Sequence, residues 1–222
     1  MQKNFKAVIF DLDDTLISSN INFIEMRSGM IDFLKHYMPF PVDLDTTKST
    51  HEIMEYAVSL LKERGHPEMI PKARSELNRI MTDVELRHIS KARLIDGVIQ
   101  TLNKLREARV RIGILTRSCR NYAEETLRAT GLSTFVDEVA TRDDSNSPKP
   151  DPCQVYLLLE RMHVRSEDAV MVGDHPTDAL CARNAGVRFV GVLTGRLIGE
   201  QSKQFRENAL PSVRELPALL GL

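Results

Sequence analysis

Three aspartates fall within four positions directly behind a short apolar run. The stretch KAVIFDLDDTL, residues 6–16, carries Asp11, Asp13 and Asp14 after Ala7-Val8-Ile9-Phe10. Like charges this close repel one another, so the arrangement calls for a cation. Carboxylate oxygens with room for water suit Mg2+. In extended backbone Asp11 and Asp13 point to the same side and Asp14 to the other. One of the first two can then attack as a nucleophile while the other handles a proton, and Asp14 reads as structural. A calcium loop does not fit, because its sixth position is Leu16 rather than Gly and its twelfth is Asn22 rather than Glu.

Other polar residues stand at comparable places. Thr116 follows the apolar run VRIGIL, Asp174 follows AVMVG with Asp178 four residues on, and Lys149 lies between two prolines in DDSNSPKPDP. Ligands of an open parallel sheet sit outside the carboxyl ends of its strands. If these runs are strands of one sheet, a hydroxyl, an ammonium and several carboxylates converge on one rim. A Lys and a Thr aimed at one spot suit the oxygens of a phosphate. A carboxylate beside a metal and a phosphate can attack phosphorus to give an aspartyl phosphate. Arg117 and His175 adjoin these positions and face either substrate or solvent.

The elements that must position these residues are legible in the pattern. Residues 5–10 are short, continuous and apolar, as in a strand buried on both faces. From about residue 20 to 92 the periodicity is helical, with no β-run. Ile21, Ile24, Ile31, Leu34 and Met38 mark one face, Ile53, Met54, Ala57, Val58 and Leu61 a second, and Leu77, Ile80, Met81 and Val84 a third. Pro39, Pro41, Gly65 and Pro67 separate them.

After Gly97 strand and helix alternate. A helix over 97–108 precedes a strand at 110–116, and a helix over 121–130 is stopped by Gly131. A short strand lies in FVDEVA, and Asp151-Pro152 is an N-cap and first-turn proline for a helix ending near Met162. AVMVG is another strand, Pro176 opens a helix closed by Gly186, VRFVGVL is a further strand, and the tail supplies a last short strand and helix. This alternation predicts an α/β fold: a doubly wound parallel sheet, Rossmann-like, with a small α-helical cap inserted after the first strand. The predicted divisions are 1–16 and 93–222 for the core and 17–92 for the cap.

The totals exclude several classes. The 222 residues carry 30 basic and 31 acidic side chains, a balance that predicts no nucleic-acid footprint and no membrane surface as partner. No apolar stretch has the length of a membrane span and nothing reads as a signal peptide. Cys119, Cys153 and Cys181 are odd in number and far apart, so the simplest reading is a reduced, cytoplasmic protein. The histidines show no metal-ligand spacing, and Cys119 reads as a small thiol rather than a nucleophile.

Four stretches together resemble the haloacid dehalogenase-like hydrolases. FDLDDTL resembles their first motif, ILTRS the second, SPKPDP the third and VGDHPTDALCARNAG the fourth, in the family's order and across the whole core. The resemblance implies that Asp11 takes the phosphoryl group and that Asp13 protonates the leaving group and then deprotonates water. It implies that Thr116 and Lys149 hold phosphoryl oxygens, that Mg2+ is bound by Asp11, the Asp13 backbone carbonyl and Asp174, and that Asp178 is a ligand or a partner of one. Thr15 would fix the loop. The helical insertion resembles the family's mobile cap and matches the subgroup of phosphoglycolate phosphatase and β-phosphoglucomutase.

The function this predicts is Mg2+-dependent hydrolysis of a small phosphorylated metabolite, a phosphomonoester, through an aspartyl phosphate. Asp13 argues against the dehalogenase branch, since displacement at carbon does not need that acid. A phosphomutase uses the same core residues and is the alternative within the fold. From another class, a non-catalytic protein that binds phosphate or a partner is the second alternative; a receiver domain is far shorter. Arg27 and Arg87 are either anion contacts of the cap or ordinary surface arginines.

Overall fold

The computed structural model describes residues 5–145, 147–194 and 209–222. Residues 1–4 and Asn146 of the DDSNSPKPDP stretch lie outside them. The chain divides into two compact units, Met1–Ser19 with Ile89–Leu222, and Asn20–His88.

The first unit is built on strand β1 (Ala7–Phe10). All four of its residues are fully buried, as a strand covered on both faces requires; burial of each larger side chain is worth about 1.5–3 kcal/mol. Next comes a two-residue strand, β2 (Ile17–Ser18), which pairs antiparallel with β3 (Arg93–Leu94). Both lie just outside the helical stretch read at about 20–92, and two residues are too few to show alternation; residues 17–19 and 89–92, assigned to the cap from the sequence, fall in this unit.

Helix α4 (Val98–Glu107) leads to β4 (Arg111–Leu115), then come α5 (Arg120–Ala129), β5 (Glu138–Ala140), α6 (Cys153–Met162), β6 (Ala169–Gly173), α7 (Pro176–Asn184) and β7 (Arg188–Gly191). The tail adds a single bridge from Leu210 to Val192 and a short helix, α8 (Leu216–Leu220). The five long strands form one parallel sheet in the order β5-β4-β1-β6-β7. Ala7, Ile9 and Met171 pack with Val155, Leu158 and Met162 of α6 and Cys181 and Ala182 of α7. Val8 and Phe10 alternate to the other face, where α4 packs on β4. This is the doubly wound α/β arrangement. The strand order reverses beside β1, so the crevice at the carboxyl ends of β4, β1 and β6 is the place for a ligand.

Local differences from the sequence pattern have physical causes. The strand in FVDEVA is confined to its last three residues, because Leu132–Thr134 makes a 3-10 turn and the Asp137 carboxylate takes the Ile112 amide at 2.7 Å. Gly131 ends α5 in the left-handed region, at φ 75°, which a residue with a Cβ adopts at a cost. Pro152, not Asp151, is the N-cap of α6, yet Asp151 Oδ1 still accepts from the Cys153 amide at 2.9 Å.

The second unit holds α1 (Phe23–Tyr37), α2 (Thr50–Glu63) and α3 (Ile70–Leu86), each packed on the other two. Asn22 caps α1, and Ser49 with Glu52 forms a capping box on α2. The α2 face is buried as its periodicity predicts. On α1 the buried stripe is Met26, Met30, Ile31 and Leu34, and Ile24 is 65% exposed. Ile24 shares the Ile31 stripe but lies in the first turn; periodicity identifies a face and not where along the helix packing begins.

Candidate active site

The carboxyl end of β1 delivers Asp11 into the crevice, its amide held by the Val172 carbonyl of β6 at 2.9 Å. The turn that follows is tight. Leu16 and Ile17 amides return to the Leu12 carbonyl, Asp14 adopts φ 60°, and Thr194 donates to the Asp14 carbonyl at 2.7 Å. Asp tolerates that left-handed conformation better than most residues, so Asp14 makes the bend.

Lys149 is 2% exposed and donates to Asp11 Oδ1 at 2.5 Å, Asp178 Oδ1 at 2.7 Å and the Leu115 carbonyl at the end of β4 at 3.0 Å. Asp174 follows β6, is 4% exposed and accepts from the Thr15 hydroxyl at 3.2 Å. Asp178 lies in the first turn of α7 and its second oxygen accepts from the His175 amide at 3.1 Å. His175 is the N-cap of that helix, its ring nitrogen accepting from the Thr177 amide at 3.1 Å.

Asp11, Asp174 and Asp178 each offer a buried oxygen within 4.8 Å of the others. Burial pushes the Asp11 carboxyl well above its ordinary range; Lys149 opposes the shift, and Asp178, Asp174 and Asp13 add to it. Burial also disfavours the Lys149 ammonium, but the Asp11 and Asp178 carboxylates outweigh it and carry its pKa up. Three buried carboxyl groups share one ammonium, so the cluster is short of positive charge. An all-oxygen donor set with that deficit fits a hard divalent cation.

The Asp13 carboxylate lies outside this cluster. Its Oδ2 accepts from Ser118 Oγ at 3.2 Å and from Thr116 Oγ1 at 3.5 Å, and its Oδ1 accepts from the Tyr122 hydroxyl at 2.8 Å. The two aspartates of Asp-x-Asp therefore occupy unlike surroundings. Ser118 closes the ILTRS stretch but has no signal of its own as a partner of Asp13, and Tyr122 does not stand out at all, being an apolar-face position of α5. Thr116 also accepts from the Ser118 amide at 3.1 Å, which curls the turn beneath Asp13.

The backbone carbonyl of Arg117 accepts from Arg142 at 3.1 Å. The loop after β5 is tied to α5 elsewhere: Asp143 accepts from the Arg120 amide at 2.8 Å and Asp144 from the Arg120 guanidinium at 2.6 Å. In the helical unit Arg87 pairs with Glu25 at 2.7 Å and Arg27 donates to the Phe23 carbonyl at 2.9 Å, the contacts of surface arginines.

Comparison with known proteins adds a second line. The profile of the family described as "Haloacid dehalogenase-like hydrolase" matches residues 8–192. Pyrophosphatase PpaX of Bacillus velezensis is 30% identical over 190 residues, which are 86% of this chain and 84% of that protein. Validoxylamine A 7'-phosphate phosphatase of Streptomyces hygroscopicus subsp. limoneus is 28% identical over 193 residues, 86% of each chain. The crystal structure of a HAD phosphatase from Thermococcus onnurineus superposes with a TM-score of 0.63 at 26% identity, covering 97% of this chain and 98% of that one.

Proposed function

This chain belongs to the haloacid dehalogenase-like hydrolases, as an enzyme of the phosphoric monoester hydrolase type, and on that premise we propose that it hydrolyses a small phosphomonoester through a phosphoryl-Asp11 intermediate. The observation that carries the reading is the contrast between the two acids. Asp11 is buried against Lys149 among carboxylates, while Asp13 stands apart under hydroxyl donors. Paired carboxylates in unlike environments divide the work of acid, base and nucleophile.

In the first step an Asp11 oxygen forms a bond to phosphorus. The bond from phosphorus to the ester oxygen breaks, its electron pair goes to that oxygen, and Asp13 supplies the proton. In the second step the Asp13 carboxylate takes a proton from water as the water oxygen bonds to phosphorus. The Asp11–phosphorus bond then breaks with its pair returning to the carboxylate, and inorganic phosphate leaves. Lys149 and Thr116 bind phosphoryl oxygens, and Arg117 at the same rim contacts substrate. Mg2+ would be held by Asp11 and Asp174, with the Asp13 backbone carbonyl, and by Asp178 or a water oriented by it; when bound it neutralises phosphate charge.

The helical unit is the natural candidate for the cap that selects the organic group. Among the described residues no helix is long and apolar enough to cross a membrane and the three cysteines are free thiols, which supports a cytoplasmic setting. A second reading, hydrolysis of pyrophosphate, is favoured by the name of the Bacillus velezensis relative. The test is phosphate release with Mg2+ from p-nitrophenyl phosphate, a panel of metabolite phosphomonoesters and pyrophosphate. Release from monoesters that Asp11→Asn abolishes supports the first reading; release from pyrophosphate alone supports the second. Isomerisation of a sugar phosphate with little free phosphate would identify a mutase.

A further inference from the structure

We propose that Tyr122 is a positioning residue for proton transfer, its phenol hydroxyl holding the Asp13 carboxyl in the orientation from which it reaches the leaving oxygen. The inference rests on the reading of Asp13 as the proton carrier and extends it to a residue that none of the four motifs contains.

Asp13 hangs from a tight turn, and an aspartate χ2 torsion is broad. Without fixed donors its carboxyl plane would swing. Ser118 and Thr116 meet one oxygen, at 3.2 and 3.5 Å, and Tyr122 meets the other at 2.8 Å. The shortest of the three contacts is thus the one that stops rotation about the Oδ2 side. A carboxylate oxygen accepts more than one hydrogen bond, so being held by these donors is compatible with carrying a proton.

Tyr122 itself is unable to move far. Its side chain is fully buried and it occupies the third position of α5. That first turn is clamped from outside: Asp143 accepts from the Arg120 amide, and Asp144 and Glu124 grip the Arg120 side chain. A fully buried tyrosine ring needs a partner for its hydroxyl, and here the partner belongs to a turn 109 residues away in sequence. Packing alone would be met equally well by phenylalanine.

The test compares two esters of nearly the same shape. Phenyl phosphate expels a phenoxide whose conjugate acid has a pKa of about 10, as for a tyrosine side chain, and so depends on the acid. p-Nitrophenyl phosphate expels a stable anion that needs no proton. kcat/KM is measured for both with wild type and Tyr122→Phe, because it reports the step that phosphorylates Asp11. A positioned acid is worth roughly 100- to 10,000-fold. Tyr122→Phe is expected to lower kcat/KM for phenyl phosphate at least about ten-fold while p-nitrophenyl phosphate changes by less than about three-fold. Loss of one hydrogen bond should move the melting temperature only by about 2–4 °C.

Equal losses on both esters, or none, would overturn the positioning role while leaving the phosphatase reading intact. A wild-type enzyme inactive on both esters would overturn the phosphatase reading and this inference with it. Should Tyr122→Phe melt far lower than expected, Ser118→Ala supplies the second variant. It removes a donor to the other oxygen of Asp13 and must show the same selective loss on phenyl phosphate, and equal losses there too overturn the proposal.

Discussion

The Lys149 ammonium donates to Asp178 Oδ1 at 2.7 Å with both side chains almost wholly buried. The same nitrogen reaches Asp11 at 2.5 Å, so one cation stands between the residue proposed as nucleophile and the first turn of α7. Asp178 is held from a second side by the His175 amide. Its charge is therefore shared before any metal or phosphate arrives.

Removing that cation should be costly. Lys149→Met keeps an unbranched side chain only one atom shorter and leaves Asp11 and Asp178 facing each other without an ammonium. Breaking a buried pair by deleting one partner typically costs about 3–5 kcal/mol, and a loss of this size is expected in urea unfolding without metal. A divalent ion bound only by the folded state adds stability that grows with the logarithm of its concentration above the dissociation constant, about 2.7 kcal/mol at a hundred times that constant. Unchanged metal-free stability, or a loss that MgCl2 does not reduce, would contradict the charge deficit described for this cluster.

The carboxylates of the cluster should not respond alike. Asp174 accepts a neutral hydroxyl from Thr15, whereas Asp178 already meets an ammonium. Replacing a partner outside the ligand shell typically weakens metal affinity about 10- to 100-fold. Asp178→Asn is expected in that range and Asp174→Asn beyond it, read as the Mg2+ midpoint in thermal-shift titrations. An Asp178→Asn midpoint shifted as far as that of Asp174→Asn would make Asp178 a direct ligand.

The rim was legible in the sequence because strand ends fix it. Asp11, Thr116 and Asp174 each directly follow an apolar run, and a parallel sheet leaves little choice about where such residues go. Lys149 was marked by the prolines around it. Tyr122 gave no such signal, because on α5 it falls in the buried stripe with Ala123, Thr126 and Leu127. Periodicity reports that a position is buried, not that its hydroxyl meets a carboxylate far away in the chain. Likewise β2 and β3 are too short to read, and nothing in the pattern beside Asp174 reveals that the His175 ring caps α7.

Stability should depend on pH through Asp144. Burial alone would raise its pKa, but the Thr141 amide, the Arg120 guanidinium and the Thr141 hydroxyl outweigh burial and hold it below the ordinary carboxylate range. A depressed folded-state pKa means the contribution is complete above the unfolded value of about 3.9 and is lost as pH falls through the folded value. Asp144→Asn should cost about 1–2 kcal/mol at pH 7, and the gap between the two proteins should close in acid, below about pH 4. A gap independent of pH would show that the contribution is not electrostatic.

Gly173, at the end of β6, tests how closely the site is packed. A Cβ added there would lie 2.6 Å from both Cβ and Cγ of Asp178. The Asp178 Cβ is fixed by the first turn of α7, so the clash is not relieved by a rotamer change alone. Either the strand end or the helix must shift, and overpacking of this kind costs about 1–3 kcal/mol. Displacing Asp178 also loosens Lys149, and through it Asp11. Gly173→Ala is therefore expected to weaken Mg2+ binding at least as much as Asp178→Asn, with a lower melting temperature. An unchanged metal midpoint alongside a lower melting temperature would show that α7 moves as a body and carries Asp178 with Lys149, in which case the pair rather than the strand end sets the geometry.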